Sequence, residues 1–303
     1  MSNNEIVIKT TKLTKYYGKQ CGIEEVELSV QRGEVFGYLG PNGAGKTTTI
    51  RTLLDFIRPT GGSATMFGLD VRENSVELHK RIGYLNGELA LWDNLTGEEL
   101  LKYLGNLRGG LDRNYVKQLA ERFQCDLTRR TQNLSLGNKQ KLGLLQAFMN
   151  KPELIILDEP TNGLDPLMQH EFYDLLSETK QAGSTIFLSS HILPEVEKVC
   201  DRVGIIRDGK LVTVETIETM KTHAVRKLEI IFNGAVPKDK FVNLPGVHDI
   251  VVQGNLLTCN VVGSLDALVK AAAKYEVVNI ISHEPTLEEI FMTYYNEGKN
   301  HVK

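Results

Sequence analysis

Apolar and polar positions divide the chain into two stretches of different rhythm. In the first, Ile6-Val7-Ile8 and Val26-Glu27-Leu28-Ser29-Val30 read as strands of period two. Val35-Phe36-Gly37-Tyr38-Leu39 is a continuous apolar run, as expected of a central strand covered on both faces. It leads into Gly40-Pro41-Asn42-Gly43-Ala44-Gly45, after which a helix is predicted from Lys46-Thr47 through Leu54. From Glu98 to Met149 the pattern turns helical, with Leu100, Leu101, Leu104 and Leu107 at helical spacing. Leu154 to Leu157, Thr185 to Ser189 and Val203 to Ile206 are further buried strands, the last turning at Asp208-Gly209. Buried strands separated by helices predict an α/β domain with a largely parallel sheet.

Near Glu215 the rhythm changes. Arg226 to Phe232 reads as a strand and Lys238 to Val242 as a short helix. Val247 to Val252 and Leu256 to Val262 flank Gly254-Asn255, a hairpin signal. Ser264 caps a predicted helix through Tyr275, Val277 to Ile281 is a strand, and Thr286-x-x-Glu289 is a capping box opening a last helix through Tyr295. That order, β-α-β-β-α-β plus a helix, predicts a small α+β ferredoxin-like domain. The expected division is residues 1–214, with a helical subdomain at about 86–150, and residues 215–303.

Composition narrows the class. The length of 303 residues suits about two domains. With 35 Lys+Arg against 38 Asp+Glu the net charge is −3, which argues against a basic nucleic-acid binder. No run approaches the roughly 20 apolar residues of a spanning helix, and Met1 to Lys9 has no apolar signal core. Cys21, Cys125, Cys200 and Cys259 are far apart, as thiols in a reducing cytosol would be. A cytosolic protein without a membrane segment of its own is expected.

The chemistry begins at Gly40-x-x-x-x-Gly45-Lys46-Thr47, a P-loop pattern between a strand and a helix. Its glycines let backbone N–H groups turn inward around phosphates, and the helix N-terminus adds a positive dipole. Lys46 sets a charge between the β- and γ-phosphates, and the Thr47 hydroxyl can bind Mg²⁺. Asn42, Gly43, Ala44 and Thr48 complete the cradle. The strand Leu154 to Leu157 ends in Asp158-Glu159, where Asp158 would hold Mg²⁺ through water and Glu159 would orient or activate the attacking water.

With these and four further motifs the sequence resembles the ATP-binding subunits of ABC transporters. Leu134-Ser135-Leu136-Gly137-Asn138-Lys139-Gln140 looks like that family's signature, Pro160-Thr161-Asn162-Gly163-Leu164-Asp165-Pro166 like its D-loop, and Ser189-Ser190-His191 like its switch histidine. Tyr17, before Gly18, matches the aromatic that stacks on adenine, with Tyr16 as a competitor because adjacent strand residues face opposite sides. The resemblance covers about Ile6 to Thr213 and implies ATP and Mg²⁺ as ligands. It implies that Ser135 and Gly137 act on the γ-phosphate of a nucleotide held by an opposite subunit, that Asp165 of the D-loop is a nucleotide-binding residue, and that His191 reaches the γ-phosphate. Two positions depart from the pattern. Gly87 stands where the family has Gln near the metal, with Glu88 beside it either as a replacement oxygen ligand or as a solvated loop acid, and the signature has Leu136 and Asn138 where Gly and Gln are commoner.

The resemblance further implies a homodimer, or a heterodimer with a related subunit, and a separate multi-spanning permease that holds the chain at the inner face of the cell membrane. No nucleic-acid partner is expected. Leu89, Leu91, Trp92 and Leu95 lie in the neighbourhood that receives the permease in that family, although Trp92 could instead pack inside the helical subdomain. The appended C-terminal domain is most like the ABC-2 exporter type. The alternative is a non-transport ABC ATPase acting on another macromolecular complex. A P-loop kinase is opposed by the signature and D-loop motifs, and a GTPase by the missing Asp in Asn138-Lys139-Gln140-Lys141.

Overall fold

The computed structural model describes residues 5–89, 91–223, 225–283 and 289, and the chain separates into two units, 1–214 and 215–303. In the first unit, strand β1 (Ile6–Tyr17) pairs antiparallel with β2 (Gln20–Val26) and β3 (Ser29–Gln31). The single strand expected over Val26 to Val30 is therefore split. The cause is Thr10, whose buried hydroxyl donates to Val26 O at 2.8 Å and accepts from Leu28 N at 2.8 Å, replacing ladder bonds at the break.

The apolar run forms β4 (Val35–Leu39), buried at every position, and after the glycine loop comes α1 (Lys46–Leu53). Next, β5 (Gly61–Met66) and β6 (Leu69–Asp70) extend the antiparallel sheet to the order β2-β1-β5-β6. Helix α2 (Ser75–Arg81) and strand β7 (Ile82–Leu85) precede three helices, α3 (Gly97–Leu107), α4 (Arg113–Arg122) and α5 (Leu136–Phe148). Thr96 and Glu99 close a capping box at the start of α3. Trp92 is half exposed, and its ring meets Tyr103 edge-on at 5.2 Å, so it lies on the surface of the helical region rather than inside it.

Strand β8 (Leu154–Asp158), helix α6 (Pro166–Gln181), strand β9 (Thr185–Ser190), helix α7 (Leu193–Val199) and strands β10 (Arg202–Arg207) and β11 (Lys210–Thr216) complete a second sheet. Its order is β11-β10-β4-β9-β8-β7, and the pairs β10–β4, β4–β9, β9–β8 and β8–β7 are parallel. Phe36 stacks on Phe187 at 5.8 Å within its core. Because β4, β8 and β9 are parallel and adjacent, their C-terminal ends deliver the glycine loop, Asp158 and Ser189-Ser190 to one edge, where open α/β sheets bind ligands.

The second unit contains α8 (Ile217–His223), β12 (Arg226–Phe232), β13 (Val247–Gln253), β14 (Leu256–Val261), α9 (Asp266–Ala272) and β15 (Val277–His283). The strand order is β13-β14-β12-β15, every neighbour antiparallel. The short helix expected from Lys238 to Val242 is a 3₁₀ turn at Lys238–Lys240. Helix α9 stops before Tyr275, whose ring packs on Phe232 and Phe241 at 6.2 and 6.1 Å and fills the core there. The last helix expected from Thr286 to Tyr295 lies outside the described residues except for Glu289. Among the described residues no helix is long and apolar enough to cross a membrane.

Candidate active site

The glycine loop is shaped by close backbone contacts. A Cβ on Gly40 would lie 2.4 Å from Ile206 O, and Gly45 has φ +110° with its would-be Cβ 2.8 Å from Gly22 O, so neither position accepts a side chain. Lys46 is 6% exposed and folds back along the loop, its Nζ donating to Gly40 O at 2.6 Å and Pro41 O at 3.3 Å. A cavity of about 280 Å³ opens beside the loop, lined by Tyr17, Asn42, Gly43, Lys46, Thr47, Thr48 and Glu159 among others.

The two acids that follow β8 sit differently. Asp158 is buried, with Oδ2 accepting from Thr47 Oγ1 at 2.8 Å and Oδ1 accepting from Ser189 Oγ. Glu159 has φ +50°, a left-handed backbone that costs a non-glycine residue about 1–2 kcal/mol. Three contacts hold it there: its N–H donates to Ser189 O at 3.1 Å, its carbonyl accepts from Asn162 N at 3.3 Å, and Gln140 Nε2 reaches Glu159 O at 3.3 Å and Pro160 O at 2.8 Å. The strained turn aims the side chain at the loop. Oε1 lies 3.1 Å from Lys46 Nζ, and this buried oxygen accepts no hydrogen bond of regular geometry. Oε2 is 2.7 Å from His191 Nδ1. An ionised Glu159 accepts there from an Nδ1–H of the imidazole.

Thr47 and Asp158 present hard oxygen donors 2.8 Å apart at the mouth of a phosphate loop. That donor set suits Mg²⁺, which takes one or two protein oxygens and leaves its remaining positions to substrate and water. The side chain of Glu88 is exposed, and its carbonyl accepts from Asn86 Nδ2 at 2.7 Å. Gly87 is the residue against the acid, where a Cβ would lie 3.4 Å from Asp158 Oδ2.

The two tyrosines separate by their contacts. Tyr16 donates its hydroxyl to Glu24 at 2.8 Å, and that bond pushes the phenol up to about 12. Tyr17 is 47% exposed and lines the cavity. The signature residues lie elsewhere. Ser135 caps α5 by accepting from Asn138 N at 3.3 Å, and Asp165 caps α6 by accepting from Met168 N at 3.0 Å. A Cβ on Gly137 would meet Gly163 O at 2.5 Å, so α5 begins in direct backbone contact with the loop ahead of α6. Ser135, Gly137 and Asp165 are not among the residues lining the cavity.

Sequence reasoning missed the residues behind this cluster. Gln140 and Ser189 sit inside recognised motifs but carry no sequence signal of their own. Glu195, in α7, is 5% exposed and accepts from Ser190 Oγ at 3.1 Å. Burial pushes its carboxyl above the ordinary carboxylate range, opposed by the hydroxyls of Thr161 and Ser190. An acid in a helix's first turn gives no hint of burial.

A protein-family model described as ABC transporter matches residues 23–162. The bacitracin transport ATP-binding protein BcrA of Bacillus licheniformis is 37% identical over 303 residues, covering 96% of this chain and 98% of that protein. A solved ATP-binding subunit of an ABC transporter superposes with a TM-score of 0.66 at 30% identity, over 71% of this chain and 92% of that one. A dimeric bacterial ABC transporter cassette shares the fold at a TM-score of 0.64 and 22% identity, over 69% of this chain and 98% of that one.

Proposed function

The chain belongs to the ATP-binding subunits of ABC transporters, and from that premise we propose that it binds and hydrolyses ATP to drive an exporter through a separate membrane permease. One observation carries the reading: at one edge of the parallel sheet, Glu159 meets both Lys46 and His191 while its neighbour Asp158 meets Thr47, each contact within hydrogen-bond or ion-pair reach.

The roles follow from placement. The loop N–H groups and Lys46 bind the phosphates, Tyr17 stacks on adenine, and Thr47 with Asp158 holds Mg²⁺. A Mg²⁺ held there would supply neutralisation of the charge developing on the phosphoryl oxygens. Glu159, held by His191, orients the attacking water and accepts its proton. Ser135, Gly137 and Asp165, exposed or half-buried outside the cavity, act on the nucleotide of a second subunit, so the working unit is a dimer of ATPase subunits. Residues 215–303 would be an accessory domain; the strand order β13-β14-β12-β15 supports a ferredoxin-like reading, with a 3₁₀ turn in the place of the first helix. The relative of B. licheniformis is named for bacitracin transport and spans nearly the whole chain, which supports export of a peptide antibiotic or a similar amphiphile from the inner face of the cell membrane.

Two measurements test this. A Glu159→Gln chain saturated with ATP and Mg²⁺ is expected to dimerise in light scattering, and a monomer both alone and with its partners refutes the two-subunit site. Affinity purification from membranes is expected to bring down a multi-spanning protein that raises ATP turnover, and turnover indifferent to any membrane partner would refute the transport role.

A further inference from the structure

Glu195 has a place in the site's framework that none of the motifs describes. Ser190 Oγ donates to its Oε2 at 3.1 Å, and the same Oγ accepts from Ile192 N at 2.9 Å. The Ser190 proton is therefore committed to Glu195, and the carboxylate closes the turn Ser190-His191-Ile192 from beneath. The hydroxyl of buried Thr161, two residues beyond Glu159, favours the charged carboxyl as that of Ser190 does. An acid buried this deeply is a poor choice for packing alone, since apolar residues of similar volume fill such space at least as well.

We propose that Glu195 is a positioning residue for hydrolysis: through Ser190 it holds the turn that carries His191, and so fixes the 2.7 Å contact between His191 and Glu159. Glu159's backbone bond and the Asp158 side chain both join this segment at Ser189, ahead of the turn, so the placement of His191 depends on the turn itself. A displacement of about 1 Å at Glu159 is enough to cost ~10²-fold in rate. ATP binding is made on the other wall, by the glycine loop, Lys46 and Tyr17, none of which contacts Glu195 in the bonds described. Loss of Glu195 should therefore lower turnover and spare affinity. The role rests on ATP hydrolysis at Glu159.

The test uses the full chain, with its permease where turnover requires it, and measures single-turnover hydrolysis beside the Kd for a fluorescent ATP analogue. Glu195→Ala is expected to slow hydrolysis roughly tenfold or more, with Kd changed by less than about twofold. Glu195→Gln, whose amide oxygen can still accept from Ser190, is expected to recover most of the rate. Ser190→Ala should reproduce the Glu195→Ala defect, and the double variant should be no slower than the worse single one. The role is overturned if Glu195→Ala hydrolyses at the parent rate, if affinity and turnover fall by the same factor, or if the Ser190 and Glu195 losses multiply. A parent chain with no turnover would instead overturn the hydrolytic reading beneath it. Ser190→Ala and Glu195→Gln, which change little volume, decide the matter should Glu195→Ala not fold.

Discussion

Lys46 Nζ lies 3.1 Å from Glu159 Oε1, which puts the phosphate-binding cation and the proposed hydrolytic acid in direct contact. Phosphates entering the loop compete with Glu159 for this lysine. On the proposed reading, Lys46 would turn to them and free Oε1 for the reacting centre, with Oε2 still within reach of His191. Glu159→Gln removes the competing charge and the base together. The expected outcome is hydrolysis slower by ~10²–10⁴-fold with ATP bound at least as tightly as by the parent, read from phosphate release and equilibrium binding. A variant hydrolysing within tenfold of the parent would contradict the role of Glu159.

Tyr17 and Tyr16 give a separate contrast. Tyr17 is exposed at the cavity, whereas Tyr16 is tied to Glu24. Base stacking contributes about 1–3 kcal/mol, so Tyr17→Ala should weaken ATP binding by ~5- to 150-fold while Tyr17→Phe binds normally. Tyr16→Phe loses only the Glu24 bond and should leave affinity unchanged. A binding loss at Tyr16 and none at Tyr17 reverses the assignment.

These two tyrosines also show where the sequence stops being informative. Alternation along a strand says that they face opposite ways, but not which faces the ligand; that depends on Glu24, on the paired strand. The glycine loop and Asp158-Glu159 were readable because contiguous residues build them on buried strands whose apolar runs are unmistakable. Gln140 and Glu195 were not, because each is placed by a contact that the motif patterns do not encode, Gln140 with the carbonyls of Glu159 and Pro160 and Glu195 with the Ser190 hydroxyl. The split between β2 and β3 likewise depends on Thr10, which lies 16 residues before Val26. Periodicity registers which face is apolar, and it is silent on a hydroxyl that replaces a ladder bond.

The metal site makes a third prediction. Thr47 and Asp158 are bonded to one another at 2.8 Å, whereas Glu88 is exposed. Asp158→Asn should raise the Mg²⁺ concentration needed for half-maximal turnover at least tenfold, by analogy with the ~10–100-fold effect of disturbing groups that orient a metal's ligands. Glu88→Gln should leave that concentration within about twofold. A metal titration of the two variants checks both, and a shift at Glu88 comparable to that at Asp158 would make Glu88 a ligand.

The last prediction concerns stability and pH. Glu153 receives Arg81 through two bonds, Nε to Oε1 at 2.6 Å and Nη2 to Oε2 at 2.9 Å, and Arg32 lies 3.5 Å away. The Arg81 bonds hold its carboxyl below the usual carboxylate range. A group whose pKa is lower folded than unfolded stabilises the fold above the unfolded value and loses that contribution as pH falls through the folded one. The stabilisation should therefore be present at pH 7 and fade below about pH 4. Glu153 is 45% exposed, so its contribution is that of a well-formed surface pair, about 1 kcal/mol or less. Arg81 also covers the Phe67 ring at 3.7 Å, a contact indifferent to pH, so the clean variant is Glu153→Gln and not a change at Arg81. Glu153→Gln should be less stable than the parent at pH 7 in denaturant titrations and indistinguishable from it at pH 3. A deficit that persists undiminished at pH 3 would mean that Glu153 contributes through packing and neutral hydrogen bonds, and not through its charge.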